Sequence, residues 1–515
     1  MSQLIFKNAK VYDGVSIEPF KATVYCENTV IRKISYNRYT HDSKRSHNKT
    51  VIDATGLILA PGFIDVHTHS DASLLEDFLP AGKLAQGITT EIVGNCGLSP
   101  FPMTSLNRDN ILKVYSKYPI LSNFLTKKET INFADYNTLK SSLEKFSLVG
   151  YNTLRSSVAG YQQKKLSEKQ IIQMKKLLRR EIIAGAIGVS GGFLYTPGCY
   201  STIEEISEVL SSVSDLNIIF CCHLRSESDE IIEAIEEMIN VCRAAKVKKL
   251  HLSHLKIAKQ YNWDKIDALF SLIDNCNDLQ ISFDRYPYIA SQSSLSLTLP
   301  DKFNAMPDAQ IQHFLQNKQN FSATLEMLKK YPKDYFSRIV LASTPISEFS
   351  NYCGQTIANI AKIFSNSTPA ELLLTILRTD CNSTMGAFLG SMKQENMERI
   401  INDHRCLCGS DEVSRPEGFN LGRSHPRGFN SFPKFAAILA QKGYKNGEII
   451  RRFSSKSAVT FNLPNIGAIK ENYAANLILM DFKQYIRDSN NANFSAPHSL
   501  AKGIHGCWIK GQKVF

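Results

Sequence analysis

Through the middle of the chain, short apolar runs alternate with stretches whose apolar residues recur at helical spacing. This rhythm limits the fold more than any other feature. The runs end in "FIDVH" (67), "TEIVGNC" (96), "NTLRSSVAG" (160), "AIGVSGG" (192), "NIIFCCH" (223), "KLHLSHLK" (256), "LQISFDRYPY" (288) and "RCLCGSD" (411). Between them lie amphipathic stretches such as "SEKQIIQMKKLLRREIIAGA" and "SDEIIEAIEEMINVCRAAKV". Eight buried strands with helices between them predict an α/β fold, a parallel (β/α)8 barrel of the TIM kind.

The two ends of the chain have a different rhythm. "LIFKNAKVYDG", "ATVYC" and "TVIRKIS" near the start, and "GAIKENYAANLILMDF" and "GIHGCWIKGQKVF" near the finish, alternate as strands do. We expect residues 1–60 plus 465–515 to form a small β-sandwich domain and residues 61–464 to form the barrel. The long gap before the eighth strand should hold an insertion around 295–345. A length of 515 residues allows a large core plus such a satellite. The formal charge of +12 is spread along the chain, so it reads as a solvated basic surface with a mild pull on anionic small molecules, and no nucleic-acid partner is expected. The start lacks an apolar core behind basic residues and no run is long enough to span a membrane, so neither a signal peptide nor a membrane partner is expected. The twelve cysteines include no CxxC pair, which fits reduced thiols and a cytoplasmic setting.

The chemistry-bearing residues fall at the strand ends. In "PGFIDVHTHSD", His67 and His69 are two apart and share a face if the strand continues. Taken alone, HxH is a weak metal signal. Cys96, His223, His254 and Asp411 end the second, fifth, sixth and eighth strands, and a barrel brings those ends to one mouth. Imidazole and thiolate suit zinc. Cys96, His223 and His254 can supply one set of ligands, with His67 and His69 as a second and looser set. Zinc makes water a nucleophile near neutral pH. Asp411 is placed to take the proton from that water and pass it to a leaving nitrogen. The bland alternative is a Cys96 that merely fills space. His251, on the outward face of the sixth strand, reads as a core residue. In "LSHLK", Lys256 would face the mouth beside His254 and could anchor a substrate carboxylate.

The elements "PGFIDVHTHSD", "GITTEIVGNCGLSP", "GAIGVSGGFLYTPGCY", "CHLRSE", "LSHLK", "DRYPY", "GSDE" and "HPRGFNSFPKF" occur in the order found in D-aminoacylases, and the chain resembles that family, the N-acyl-D-amino-acid deacylases of the amidohydrolase superfamily, over almost its whole length. HxH is shared by the whole superfamily, whereas "GNCG" is specific to this branch. The resemblance implies metal ligation by His67, His69, Cys96, His223 and His254, and catalysis by Asp411. It implies carboxylate contacts from Lys256, Tyr195 and Tyr288, and a structural or supporting role for His425 and Arg427. It also implies a zinc-dependent enzyme that hydrolyses the linear amide of a small N-acyl-D-amino acid, with one zinc held tightly and room for a weaker second.

The chain departs from the family at Glu412, which could alter the pocket floor, and at Asn476 and Tyr151–Asn152, where an effect on packing is expected. Hydantoinases and dihydroorotases share HxH and the barrel but bridge two metals with a modified lysine at strand four. Here that strand ends "GVSGGFLY", with no lysine, which favours the deacylase. A barrel scaffold without catalysis is the third reading, and the intact ligand set speaks against it.

Overall fold

The computed structural model describes residues 3–36, 49–162, 164–303, 306–364, 367–419 and 423–515. Residues 1–2 and 37–48 of the expected terminal unit, and 304–305 of the expected insertion, lie outside the described residues. Strands β1 (Gln3–Val11), β2 (Phe20–Glu27), β3 (Val30–Ser35), β4 (Lys49–Asp53) and β5 (Ile58–Pro61) lead into the first barrel strand, β6 (Phe63–Asp65). The barrel continues with β7 (Ile88–Val93), β8 (Glu144–Gly150), β9 (Gly188–Gly192), β10 (Ile219–His223), β11 (Lys249–Leu252) and β12 (Gln280–Arg285). An excursion carrying β13 (Ser291–Ser294), β14 (Ile339–Ser343) and β15 (Met385–Phe388) precedes the eighth barrel strand, β16 (Cys406–Cys408). The chain closes with β17 (Leu477–Met480), β18 (Ile504–Ile509) and β19 (Gln512–Lys513).

The eight barrel strands are ordered β16-β12-β11-β10-β9-β8-β7-β6, each parallel to its neighbours. Helices α1 (Ala81–Leu84), α2 (Tyr151–Ala159), α3 (Glu168–Ile183), α4 (Ile203–Ser211), α5 (Ile231–Ala245), α6 (Ile266–Asp274), α7 (Gln394–Asn402) and α8 (Arg427–Gln441) are spaced along this run. The sequence patterns explain the two longest of those between strands. Ser167 and Gln170 cap α3 reciprocally, and its Met174, Leu178 and Ile182, four residues apart, form the buried stripe. In α5 the buried set Ile231, Ala234, Ile235, Met238, Ile239 and Cys242 does the same. Inside the barrel, Ile64, Val66, Ile92, Leu148, Ile219, Cys221 and Leu407 pack with Phe461, Leu463 and Ile466 from the chain that follows α8.

One strand expectation fails. "NTLRSSVAG" is not a strand but lies in α2, and the third barrel strand is the preceding "EKFSLVG". All nine residues of α2 are buried, so it has no polar face and no 3.6-residue stripe to read. Its polar groups find partners instead. Arg155 Nε reaches Glu205 at 2.9 Å, and the Tyr151 hydroxyl donates to the same carboxylate at 2.8 Å. Strand number and fold class are unaffected.

Both chain ends join one eight-stranded sheet, ordered β19-β18-β17-β5-β1-β2-β3, with β4 beside β1. This is the extra sheet domain beside the barrel. β17 pairs antiparallel with β5, Leu477 opposite Pro61 and Met480 opposite Ile58, so the last strands grip the chain just before it enters the barrel. Between β12 and β16, strands β13–β15 form a separate antiparallel sheet over a core of its own, from Leu295 to Cys381.

Candidate metal centre and active site

Four of the barrel strands stop short of the residues they were expected to carry, whereas β10 reaches His223. β6 ends at Asp65, β7 at Val93, β11 at Leu252 and β16 at Cys408. Turns deliver the functional side chains. Three of these residues, Cys96 (φ +51°), His254 (φ +36°) and Asp411 (φ +52°), sit in left-handed backbone. A residue other than glycine keeps that conformation only where its surroundings over-determine it. The glycines of "GNCG" serve this geometry. A Cβ on Gly94 would lie 2.3 Å from the Leu148 carbonyl oxygen, and one on Gly97 would lie 2.1 Å from Asn152 Oδ1.

Three sets of donor atoms converge: His67, His69 and Cys96; Cys96, His223 and His254; and His67, His254 and Asp411, with the atoms of each set within 4.8 Å of one another. Cys96 Sγ lies 3.4 Å from the Nε2 atoms of both His67 and His254. Burial opposes ionisation of this thiol, but His67 and His254 hold its pKa well below the ordinary value, which favours the thiolate form. His223 is buried with neither ring nitrogen hydrogen-bonded. A buried imidazole is normally partnered, and a cation held at the convergence point would satisfy it. The donor chemistry of thiolate plus imidazole suits a borderline-soft divalent metal. All six residues named from the sequence as ligands or proton carrier therefore meet in one place.

Asp411 Oδ1 is 3.1 Å from His69 Nε2 and 3.5 Å from His67 Nε2, while Oδ2 is 2.7 Å from Arg427 Nη1. Burial works against the carboxylate's charge, but Arg427, His254 and the His69 hydrogen bond hold its pKa well below the usual range. Arg427 is thus the counter-ion of Asp411. His425 supports it: Nε2 donates to the Ala290 carbonyl at 3.1 Å, which leaves Nδ1 to accept from the Arg427 amide at 3.0 Å.

The carboxylates behind the histidines escaped the sequence reading. Asp284 Oδ2 accepts from His67 Nδ1 and from His251 Nε2, each at 3.0 Å, and Glu227 Oε1 lies 2.9 Å from His254 Nδ1. Such partners fix the tautomer that leaves Nε2 free for a metal. The only signal in the sequence was an acid inside an apolar strand and another in "CHLRSE". His251 corrects an expectation. It points into the barrel, 4.9 Å from the Phe461 ring, and not outward. Tyr151–Asn152 corrects another: beyond packing, Asn152 Nδ2 donates to the Gly192 carbonyl at 2.8 Å and its Oδ1 accepts from the Gly192 amide at 3.1 Å.

The expected carboxylate contacts are placed unevenly. Because β11 has ended, Lys256 does not extend along the strand beyond His254. It folds back, with Nζ 2.9 Å from His254 Nδ1 and ion-paired to Glu227. The Tyr195 ring lies 4.7 Å from that of His223, and its hydroxyl faces Ser293 Oγ at 3.4 Å. Tyr288 turns its hydroxyl toward the Ala492 carbonyl and its ring toward His425. Tyr286, which the sequence reading passed over, is fully buried, with its ring 4.2 Å from the Arg285 guanidinium and 4.7 Å from that of Arg427. Burial would raise its pKa, but Lys256, Arg285 and Arg427 bring the phenol below its usual value.

A model of the Amidohydrolase family matches residues 50–131. The chain is 26% identical over 480 residues to a D-aminoacylase of Alcaligenes xylosoxydans xylosoxydans, covering 90% of this chain and 86% of that protein. It is 27% identical over 471 residues to an N-acyl-D-aspartate deacylase of the same organism, covering 90% and 83%. Among solved structures it is similar in fold to an N-acyl-D-glutamate deacylase from Bordetella bronchiseptica complexed with zinc and a phosphonate inhibitor that mimics the tetrahedral intermediate. The TM-score is 0.78 at 21% identity, over 99% of this chain and 96% of that one.

Proposed function

We propose that the chain is an amidohydrolase of the D-aminoacylase branch, a zinc-dependent enzyme hydrolysing the amide bond of N-acyl-D-amino acids to a carboxylate and a free D-amino acid, a reading supported by its similarity to those deacylases over 90% of its length. The observation that carries this reading is the convergence of Cys96, the four histidines and Asp411 within a single cluster of donors. Cys96, His223 and His254 would hold one zinc ion tightly, and His67 and His69 would offer a weaker second position. Zinc held there supplies Lewis-acid activation of water and of the scissile carbonyl.

Asp411 accepts a proton from the attacking water at Oδ1 and returns it to the leaving nitrogen. Arg427 holds Oδ2, so the carboxylate stays ionised and aimed. Lys256, Tyr195 and Tyr286 are the groups we assign to the substrate's α-carboxylate; Tyr286 replaces Tyr288, whose hydroxyl faces a backbone carbonyl on the tail. Glu227 neutralises Lys256 in the absence of substrate, and an arriving carboxylate would compete with it for the ammonium. The absence of paired cysteines among the described residues supports a reducing, cytoplasmic setting. Among those residues no helix is long and apolar enough to cross a membrane.

The test is a hydrolysis panel of N-acetyl and N-formyl amino acids of both hands, with hydantoins included, on protein of measured zinc content. We expect turnover of D substrates that tracks zinc. Turnover confined to hydantoins or to L substrates would overturn the proposal.

A further inference from the structure

The first and last barrel strands are the two ends of the sheet order. β6 and β16 share no ladder; Thr68 bridges Glu412, and the Asp411 amide donates to the His67 carbonyl at 2.8 Å. A buried lysine fills the gap. Lys83 on α1 is fully buried, with Nζ 2.7 Å from Asp65 Oδ2 on β6 and 2.7 Å from Glu91 Oε1 on β7. The same nitrogen is 2.8 Å from Ser410 Oγ and 3.3 Å from the Glu412 carbonyl oxygen, the residues on either side of Asp411.

Its two carboxylates reach the same loop from the other side. Asp65 Oδ1 accepts from the Ser410 amide at 2.9 Å and from the His67 amide at 3.3 Å, and Glu91 Oε2 accepts from the Ser414 hydroxyl at 3.1 Å. The cluster therefore ties strand one, strand two and the 410–414 turn to one ammonium. Burying three charges is a poor way to gain stability, because desolvation cancels much of the attraction. It is a good way to fix a geometry. The turn it fixes holds Asp411 in left-handed backbone, a conformation that relaxes unless its neighbours enforce it.

We propose that Lys83 is a positioning residue for Asp411. It acts through Ser410 and the Glu412 carbonyl and touches neither the donor cluster nor the substrate. This rests on the deacylase reading, in which Asp411 moves the proton. A carboxylate displaced by an ångström loses the alignment that proton transfer needs, while substrate binding at Lys256 and Tyr286 is left alone.

The experiment is a double-mutant cycle on the full-length, zinc-loaded protein, using Lys83→Met and Asp411→Asn, with hydrogen exchange measured on the same variants. For Lys83→Met we expect wild-type zinc content, KM within about threefold of wild type and kcat lower by at least about tenfold. In the Asp411→Asn background the same change should cost nothing further, since its target is already gone. Amides of residues 409–414 should exchange faster in Lys83→Met, while those of β10 and β11 keep their protection. Equal losses with and without the Asp411 carboxylate, or unchanged exchange at 409–414, would overturn the assignment. Should Lys83→Met not fold, Ser410→Ala removes one contact without stranding a charge and carries the same cycle with a smaller loss. A wild type inactive on every N-acyl-D-amino acid would overturn the functional reading, and the exchange measurement would still decide the role of Lys83.

Discussion

A single sulfur decides most of the chemistry. Cys96 belongs to two of the three converging sets, as His67 and His254 do, and it is the one sulfur among those donors, its pKa held low by the two imidazoles beside it. Cys96→Ala should remove zinc and activity together, because thiolate is the strongest zinc donor present. Zinc content unchanged in purified mutant protein, read by elemental analysis, would show that the histidines suffice. Asp411 makes the complementary case. Asp411→Asn keeps the shape and loses the base, so metal content and melting temperature should stay near wild type while kcat falls by at least about 10²-fold. Near-normal steady-state turnover would mean that another group moves the proton. These residues were legible in the sequence because each is a metal-ligating or proton-transferring type that follows closely on an apolar strand. Lys83, Asp284 and Tyr286 were not, because nothing local distinguishes a lysine that is solvated from one held by acids on two other strands.

At the scale of elements, period-two reasoning found seven of the eight barrel strands, took a buried helix for the third, and aimed some side chains wrongly. It presumed that strands persist to the functional residue. They end two to three residues earlier at Cys96, His254 and Asp411, and left-handed turns do the aiming. That is why the pairing of His254 with Lys256 along one face fails, while the placement of both at the mouth survives. His251 reverses for a related reason. Its neighbours across the sheet, Cys221 and Ser282, are interior residues, which a strand read in isolation cannot reveal. The inward turn brings His251 to Asp284, where it shares one carboxylate oxygen with His67. Asp284→Ala should therefore strand two buried imidazoles and free the His67 ring. We expect zinc affinity at the His67 position to fall about 10–100-fold, the usual effect of losing a carboxylate behind a metal-binding histidine. Zinc stoichiometry after dialysis against graded chelator measures it, with the Cys96 position as the internal reference. Equal loss at both positions would show that Asp284 supports the whole barrel mouth and not one ring.

At the scale of the molecule, the barrel was legible because doubly buried strands must be apolar throughout, and the terminal sheet because its strands alternate. The union of the two ends was an inference from shared rhythm, and the pairing of β17 with β5 is what joins them. We take residues 1–60 and 465–515 as one folding unit. Its core joins Leu4, Phe6, Val24 and Leu59 from the start of the chain to Leu477, Leu479 and Trp508 from the end. Trp508 is 3% exposed and meets the Phe6 ring edge-on at 4.8 Å. Trp508→Ala leaves a cavity between the two halves of that unit and should cost about 3–5 kcal/mol of unfolding free energy, with kcat unchanged in the protein that remains folded. Deleting 470–515 goes further. It takes β17 from β5 and exposes an unpaired edge on the strand that ends one residue short of the first barrel strand, so insoluble protein is expected. The two experiments separate the alternatives, since an appendage would tolerate both changes. A soluble truncation with full turnover, or a Trp508→Ala protein that melts with the wild type, would show that the barrel stands without the sheet that both chain ends build beside it.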